Sequence, residues 1–289
     1  MVDREIEALE TLQHPNIIRL FEVIETSSNY YLILECISGG TLDDRLKNAG
    51  KYSEADAATV FAQMASAIGH MHRNLIVHRD LKAENVLMQD KLHVKICDFG
   101  FSKRLSTLFE MQHTHCGSLP YAAPELFGDK SYNGPQVDMW ALGVLLFFML
   151  EGELPFPSRV ASELQQQISE GIYEMPENIS SSCQNLITGL LETIASERYT
   201  IEQVTTHSWL RHLSLPSPHP RFGLTPGDIV GEDEQKARDI LRKLGVSDQM
   251  VEETAVQGAK HPITGLFRVV LHRLHLEDAA IEKDLINSA

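Results

Sequence analysis

Three short motifs contain the residues whose types and spacing suit chemistry. Residues 78–85 read HRDLKAEN, residues 98–100 read DFG, and residues 123–125 read APE. The Asp80 carboxylate can accept a hydroxyl proton, and Lys82 supplies positive charge two residues later. The side-chain oxygens of Asn85 and Asp98 are hard ligands suited to Mg²⁺. Any one Asp or Asn alone is as consistent with a capped turn, but the combination favours a catalytic site.

The three motifs in this order resemble the signature set of protein kinases. The resemblance extends from the start of the chain to about Leu210, nearly three quarters of the 289 residues. It implies transfer of the ATP γ-phosphate to protein hydroxyls with Mg²⁺ as cofactor, a reaction that depends on positioning and charge neutralisation. Asp80 would then act as the base, with Lys82 and Asn85 as its catalytic neighbours. Lysine at position 82 follows the serine/threonine pattern.

The same resemblance assigns residues for nucleotide binding and for structure. Glu35 and Ile37 would offer backbone groups to adenine, and Leu87 would pack under the ring. Asn85 and Asp98 would hold the metal, so Asp98 also counts as an ATP-binding residue. The structural residues implied by the resemblance are Glu5, Arg79, Glu125, Asp138 and Arg198. Among these, Glu125 is expected to pair with Arg198, and Asp138 to hold the catalytic loop.

A narrower resemblance concerns the segment before the third motif. Ala83, together with HCGSLPYAAPE over residues 115–125, is similar to the AMP-activated-kinase-related group, in particular its NIM-one-like branch. In that group an upstream kinase phosphorylates the Thr that corresponds to Thr114. A phosphate adds roughly −1.5 to −2 charge and can pair with Arg79, which would order the segment. The alternative is that Thr114 is an ordinary exposed loop residue.

The elements that position these motifs predict an α+β, protein-kinase-like fold. A short helix and two strands are expected before residue 37, and mainly helices follow. A segment rich in Pro and Gly marks a linker, and the helical periodicity after it is similar to a ubiquitin-associated module. The predicted domains are a kinase N-lobe remnant at 1–37, a C-lobe at 38–212, the linker at 213–231, and the ubiquitin-associated-like module at 232–280.

Composition excludes several classes of protein. The formal net charge of −15 argues against a dedicated nucleic-acid binder. The longest apolar run, residues 139–150, is far shorter than the ~20 residues of a membrane span and predicts a buried helix. Four scattered cysteines without metal-ligand spacing favour reduced thiols and a cytoplasmic protein.

One departure from the kinase pattern concerns the small lobe. Glu5 matches the helix Glu that pairs with a strand Lys in the family, but neither that Lys nor a Gly-rich loop precedes it in this sequence. The favoured interpretation is an incomplete copy of a longer kinase with poor turnover. The alternative is an inactive pseudokinase that acts as a scaffold or regulator. In either case Ile6 and Leu9 are expected to lose one side of their burial.

Overall fold

The computed structural model describes residues 2–128, 131–219 and 231–287, with only the backbone described over residues 278–287. Residues 220–230, which make up most of the predicted linker, therefore lie outside the described residues.

The chain divides into two compact units. Unit one contains residues 1–18 and 37–219, and unit two contains residues 19–36 and 220–289. The predicted N-lobe remnant at 1–37 thus contributes to both units. The predicted domains are consecutive segments of the chain, whereas each unit combines two separate segments. The predicted domain boundaries therefore stay a prediction.

The chain begins with one helix and a β-hairpin, and the later helices and short strands are divided between the two units. The helices of unit one are α1 (Val2–Thr11), α2 (Leu42–Ala49), α3 (Glu54–Arg73), α4 (Gly134–Glu151), α5 (Ala161–Glu170), α6 (Ser181–Leu190) and α7 (Ile201–Thr205). Those of unit two are α8 (Glu232–Lys243), α9 (Asp248–Ala255) and α10 (Pro262–Asn287). The strands are β1 (Leu20–Glu25) and β2 (Tyr30–Leu34) in unit two, then β3 (Ile76–Val77), β4 (Val86–Met88), β5 (Val94–Ile96), β6 (Lys103–Arg104), β7 (Met111–Gln112) and β8 (Tyr132–Asn133) in unit one. Each strand is described in an antiparallel pair: β1 with β2, β3 with β6, β4 with β5, and β7 with β8.

Two long helices form the centre of unit one. Helix α3 begins after Ser53, whose side chain accepts a hydrogen bond from the Asp56 amide, an arrangement that serine favours at a helix start. Helix α4 begins after Asn133 and ends at Gly152, which has a left-handed φ of 81°. Its side chains are buried all round from Val137 to Leu150, so the apolar run is a core helix, as expected. Among the described residues, no helix has the length and apolar character required to cross a membrane.

Helix α1 corrects one expectation from the sequence. Ile6 and Leu9 were expected to lose one side of their burial, but they are only 5% and 2% exposed. The helix packs against β6 in unit one, and Glu7 forms an ion pair with Arg104 of that strand at 3.2 Å. The expectation was wrong because it considered only the small-lobe strands as packing partners for α1.

Unit two combines the hairpin with three helices in the region where the sequence predicted a helical module. Ala237, Leu241, Val251, Phe267 and Leu271 form its buried apolar cluster. Helix α10 and a 3₁₀ turn at Gly258–Lys260 pack against β1. The hairpin therefore covers part of the helical cluster, which makes it more than the isolated two-stranded sheet that is marginal in water.

Candidate active site

The catalytic loop, residues 78–85, is held by one buried carboxylate. Asp138 on α4 accepts hydrogen bonds from the His78 amide at 3.0 Å and the Arg79 amide at 2.9 Å. Nε2 of His72 lies 2.9 Å from the same carboxylate. Burial alone would raise the pKa of Asp138, but the hydrogen bonds, led by that of His72, lower it. Asp138 thereby stabilises Arg79 at a left-handed φ of 66°, a conformation that is costly for a non-glycine residue.

Asp80 lies at the centre of a polar cluster. The side-chain amide of Asn85 donates to the Asp80 carbonyl at 2.8 Å and to its carboxylate at 3.3 Å. Nζ of Lys82 lies 2.9 Å from Oδ2 of Asp80. Burial would lower the pKa of Lys82, but its hydrogen bond and attraction to Asp80 raise it. The three predicted catalytic residues are therefore in direct contact, with Asp80 and Asn85 buried.

Ser118 is a fourth member of this cluster, and its role was not predicted from the sequence. Nζ of Lys82 donates to Oγ of Ser118 at 3.0 Å, and that hydroxyl donates to Oδ1 of Asp80 at 2.9 Å. Ser118 belongs to the activation segment, defined here as residues 98–125. The contact joins residues 38 positions apart, so no local sequence pattern predicts it. The position of Ser118 directly after Gly117 was the one feature of the sequence that could have indicated its role.

Gly117 explains how Ser118 reaches the catalytic loop. Its φ is +103°, and a Cβ at this position would lie 2.7 Å from the carbonyl oxygen of Arg79. Only glycine combines that backbone conformation with so close an approach. The activation segment is thus brought against the catalytic loop at the residue that precedes Ser118.

The DFG motif places Asp98 and Phe99 in different environments. Phe99 is fully buried, with its ring centroid 5.2 Å from that of His78. Asp98 is exposed, has a φ of 61°, and accepts a hydrogen bond from the Gly100 amide at 3.2 Å. Burial and the charge of Asp98 raise the pKa of Glu5 on α1. The predicted structural Glu5 therefore lies beside the predicted metal ligand.

The donor chemistry at Asn85 and Asp98 fits Mg²⁺. The Asn85 amide nitrogen is used by Asp80, which leaves its oxygen as the free acceptor, and the Asp98 carboxylate is exposed. Mg²⁺ is commonly held by one or two carboxylates together with substrate phosphates and water. In the part of the chain that the structure describes, no group of three or more His, Cys, Asp or Glu residues suited to a metal ion occurs.

The predicted nucleotide-binding residues belong to different units. Leu87 is half-buried on β4 opposite Lys95, and Ile37 is half-buried, both in unit one. Glu35 is buried in unit two, directly after β2. The Glu35 amide donates to the Arg19 carbonyl at 2.9 Å.

Thr114 lies close to the cation that was predicted to bind its phosphate. Thr114 is exposed, and its carbonyl accepts a hydrogen bond from the Tyr132 hydroxyl at 2.6 Å. Nη1 of Arg79 lies 3.5 Å from that hydroxyl, and Nε donates to the Phe101 carbonyl at 2.8 Å. No carboxylate forms an ion pair with Arg79 among the described residues, although the side chain is buried. Tyr132 is a second residue that the sequence did not reveal.

The remaining structural pair closes the activation segment. Arg198 binds Glu125 in a bidentate salt bridge, Nη1 to Oε1 at 2.8 Å and Nη2 to Oε2 at 2.9 Å. It also donates to the Gln136 carbonyl at 2.6 Å, and its guanidinium carbon lies 5.1 Å from the centroid of Trp140. The side chain of Arg198 is fully buried. This pair fixes the end of the activation segment on the helical core.

Cys97, next to Asp98, is a poor nucleophile. Burial, followed by the charge of Asp98, raises the pKa of its thiol to about 12. The thiolate is the reactive form, so this cysteine is inert near neutral pH.

Comparisons with known proteins agree with this geometry. A model of the protein kinase domain matches residues 1–210. Serine/threonine-protein kinase SIK1 of Rattus norvegicus is 36% identical over 274 residues, which cover 94% of this chain and 35% of that protein. SIK1 of Mus musculus is 36% identical over 276 residues, with the same coverage of 94% and 35%. The chain therefore spans about a third of the length of the curated relatives it matches.

These relatives are consistent with the predicted AMP-activated-kinase-related group, whereas the NIM-one-like branch stays a prediction. The matched domain covers the catalytic loop, the activation segment and the Glu125–Arg198 pair in one continuous region. The mixed α and β content of unit one agrees with it. The chain belongs to the protein kinase family.

Proposed function

We propose that this protein transfers the γ-phosphate of ATP to serine and threonine hydroxyls of protein substrates. The observation that carries this proposal is the contact of Asp80 with Lys82, Asn85 and Ser118 in a single hydrogen-bonded cluster. Members of the family use ATP and Mg²⁺. The serine/threonine specificity is supported by Lys82 and by the names of both relatives.

The proposed mechanism depends on a fixed Asp80. Asn85 and Ser118 hold the carboxylate from two sides, so it can orient the substrate hydroxyl and accept its proton. Lys82, which is charged and only partly exposed, would stabilise the charge that moves between the reacting oxygens. Mg²⁺, held by Asn85 and Asp98, would neutralise phosphate charge. The backbone of Ile37 and the side chain of Leu87, both in unit one, would position adenine, and Glu35 stays a predicted adenine contact.

Thr114 is proposed as the regulatory phosphosite, with an upstream kinase as partner. The support is Arg79, a buried cation that binds the hydroxyl of Tyr132 next to the Thr114 carbonyl. Phosphate accepts strong charge-assisted hydrogen bonds from guanidinium groups. A phosphate on Thr114 would therefore draw the activation segment onto the catalytic loop.

Unit two is proposed to contain a ubiquitin-associated-like module over residues 232–280 that tunes the kinase. Helices α8, α9 and α10 share one apolar cluster, and α10 packs on the hairpin that ends before Glu35. Nε2 of His272 lies 3.3 Å from Oε1 of Glu35. A residue of the module is therefore in contact with Glu35, which is a predicted ATP-binding residue. A cytoplasmic location is also proposed, on the support of four free cysteines.

A scaffold without catalytic activity is the second candidate, and the surroundings of Glu5 are the observation that bears on it. In the family this Glu pairs with a strand Lys that grips the phosphates. No lysine or arginine forms an ion pair with Glu5 among the described residues, and its pKa is raised.

Phosphate transfer from radiolabelled ATP to a Ser- and Thr-containing peptide separates the two candidates. The kinase proposal predicts transfer that stops when EDTA removes Mg²⁺ and that falls by at least about 100-fold in Asp80→Asn. Glu153→Gln, which neutralises a carboxylate far from the motifs in sequence, is the matched control and should retain transfer. Equal transfer by Asp80→Asn would contradict the proposal. Binding of MgATP without transfer would favour the scaffold.

A further inference from the structure

A large cavity lies in unit one behind the activation segment. It has a volume of about 690 Å³ and is separate from the Asp80 cluster. Its apolar wall includes Leu108, Phe109 and Met111 of the activation segment, and Met139 and Ile201 of the helical core. A volume of ~300–1,000 Å³ is typical of sites for small molecules.

One polar atom in the wall has an unused hydrogen-bonding capacity. Gln136 lines the cavity, and its Oε1 is buried with no hydrogen-bond partner among the described residues. Its backbone is fully used: the amide donates to Oδ1 of Asn133, and the carbonyl accepts from Arg198. A buried acceptor that lacks a donor reduces stability, and a ligand that supplies the donor would recover that loss.

The exposed side chains at the rim point to an apolar ligand. Phe109 is 85% exposed and Met111 is 46% exposed, although both border the cavity. The Phe109 ring and the Met111 thioether are in contact with water next to an apolar space. A ligand that fills this space would remove part of their apolar surface from water, which is favourable. A flat aromatic molecule with one N–H donor would satisfy both these side chains and Gln136.

The cavity wall is also connected to Thr114. Met111 and Gln112 pair with Asn133 and Tyr132 as strands β7 and β8, and Tyr132 donates its hydroxyl hydrogen to the Thr114 carbonyl. A molecule in the cavity would contact both strands at once. Its binding would thus restrict the part of the activation segment that leads to Thr114.

We propose that this cavity is a ligand site for small aromatic molecules that carry one hydrogen-bond donor, and that its occupancy orders the activation segment. The binding stands independently of the proposed phosphoryl transfer.

Indole and N-methylindole are suitable probes because they differ in the single donor. Broadening of their proton NMR signals by the full 289-residue chain measures binding. One neutral hydrogen bond predicts that indole binds about five-fold more tightly than N-methylindole. Gln136→Met, which keeps the length of the side chain but removes the acceptor, should make the two compounds bind alike.

A cavity-filling variant tests the location of the site. Ala195 lines the cavity, and Ala195→Phe should weaken both compounds at least tenfold, whereas Ile172→Phe, at a 72% exposed position outside the lining, should not. Hydrogen exchange of residues 108–112 should slow by up to about tenfold at indole concentrations about ten times Kd. Absence of binding, binding unaffected by Ala195→Phe, or unchanged exchange with the site occupied would each overturn the proposal. None of these measurements requires kinase activity, so its absence would leave this test intact.

Discussion

The Ser118 hydroxyl donates to Oδ1 of Asp80 at 2.9 Å, which joins the activation segment directly to the catalytic loop. Oγ of Ser118 also accepts a hydrogen bond from Nζ of Lys82 at 3.0 Å, so one hydroxyl fixes both the proposed base and the neighbouring cation. A hydrogen bond to a charged group is worth ~1.5–3 kcal/mol. On the proposed function, Ser118→Ala should lower kcat by about 10- to 100-fold, measured with a peptide substrate under saturating MgATP.

Ser118→Thr is the control for this prediction, because it retains the hydroxyl and adds one methyl group at a partly exposed position. It should keep most of the activity. Turnover by Ser118→Ala at the rate of the unmodified chain would show that the hydroxyl does not position Asp80.

The salt bridge between Glu125 and Arg198 is expected to contribute strongly to stability. Arg198 has a fully buried side chain, so Glu125→Gln leaves a buried cation without its counter-charge. Such a change costs about 3–5 kcal/mol, which is a large fraction of an ordinary domain's stability. Urea denaturation should show a lower midpoint with a similar slope.

The exposed pair of Lys51 and Glu151 is the matched control. Their charged atoms are 3.5 Å apart, but the side chains are 53% and 38% exposed. Glu151→Gln should therefore change the free energy of unfolding by less than about 1 kcal/mol. If Glu125→Gln and Glu151→Gln lowered the free energy of unfolding equally, burial would not determine how much the Glu125–Arg198 pair contributes to stability.

The sequence predicted the parts of the site that depend on local motifs. The order of the three motifs indicated the kinase family, and α3 begins at the cap residue that its sequence favours. The contacts of Ser118 and Tyr132 depend on chain segments that are distant in sequence, so no local pattern indicated them. The packing of α10 on β1 was missed for the same reason. Periodicity predicts which face of an element is apolar, but it does not identify the partner that covers that face.

That packing of α10 on β1 leads to a prediction about Gly265. A Cβ at this position would lie 3.0 Å from Cβ of Glu22 on β1, so a larger side chain must separate the helix from the strand. Overpacking of this kind costs ~1–3 kcal/mol. Gly265→Val should therefore accelerate hydrogen exchange of the β1 amides by about 5- to 150-fold, measured by mass spectrometry.

Val269→Ala is the control on the same helix, since Val269 is 44% exposed. Exchange of the β1 amides should stay unchanged in this variant. If Gly265→Val also left them unchanged, the helix would not be packed on the hairpin in solution.

His14 is expected to make the stability of unit one depend on pH. Its Nδ1 accepts a hydrogen bond from the Asn16 amide at 3.0 Å, so Nε2 carries the proton toward Oγ of Ser66 at 3.0 Å. Burial, followed by the charge of His70, lowers the pKa of His14 to about 3. The unfolded chain binds this proton near pH 6.5, so it holds more protons than the folded chain between those values, and stability falls as the pH is lowered.

The expected loss is about 2 kcal/mol between pH ~6.5 and pH ~5, because each unit of pH in this window is worth up to about 1.4 kcal/mol. His14→Gln should be less stable near neutral pH, since the Asn16 amide loses its acceptor, but its stability should change less as the pH falls to ~5. His212→Gln, which removes an exposed imidazole, should keep the slope of the unmodified chain. Urea denaturation at each pH provides the measurement. Parallel pH profiles for His14→Gln and the unmodified chain would mean that His14 is not held neutral by Ser66 and Asn16.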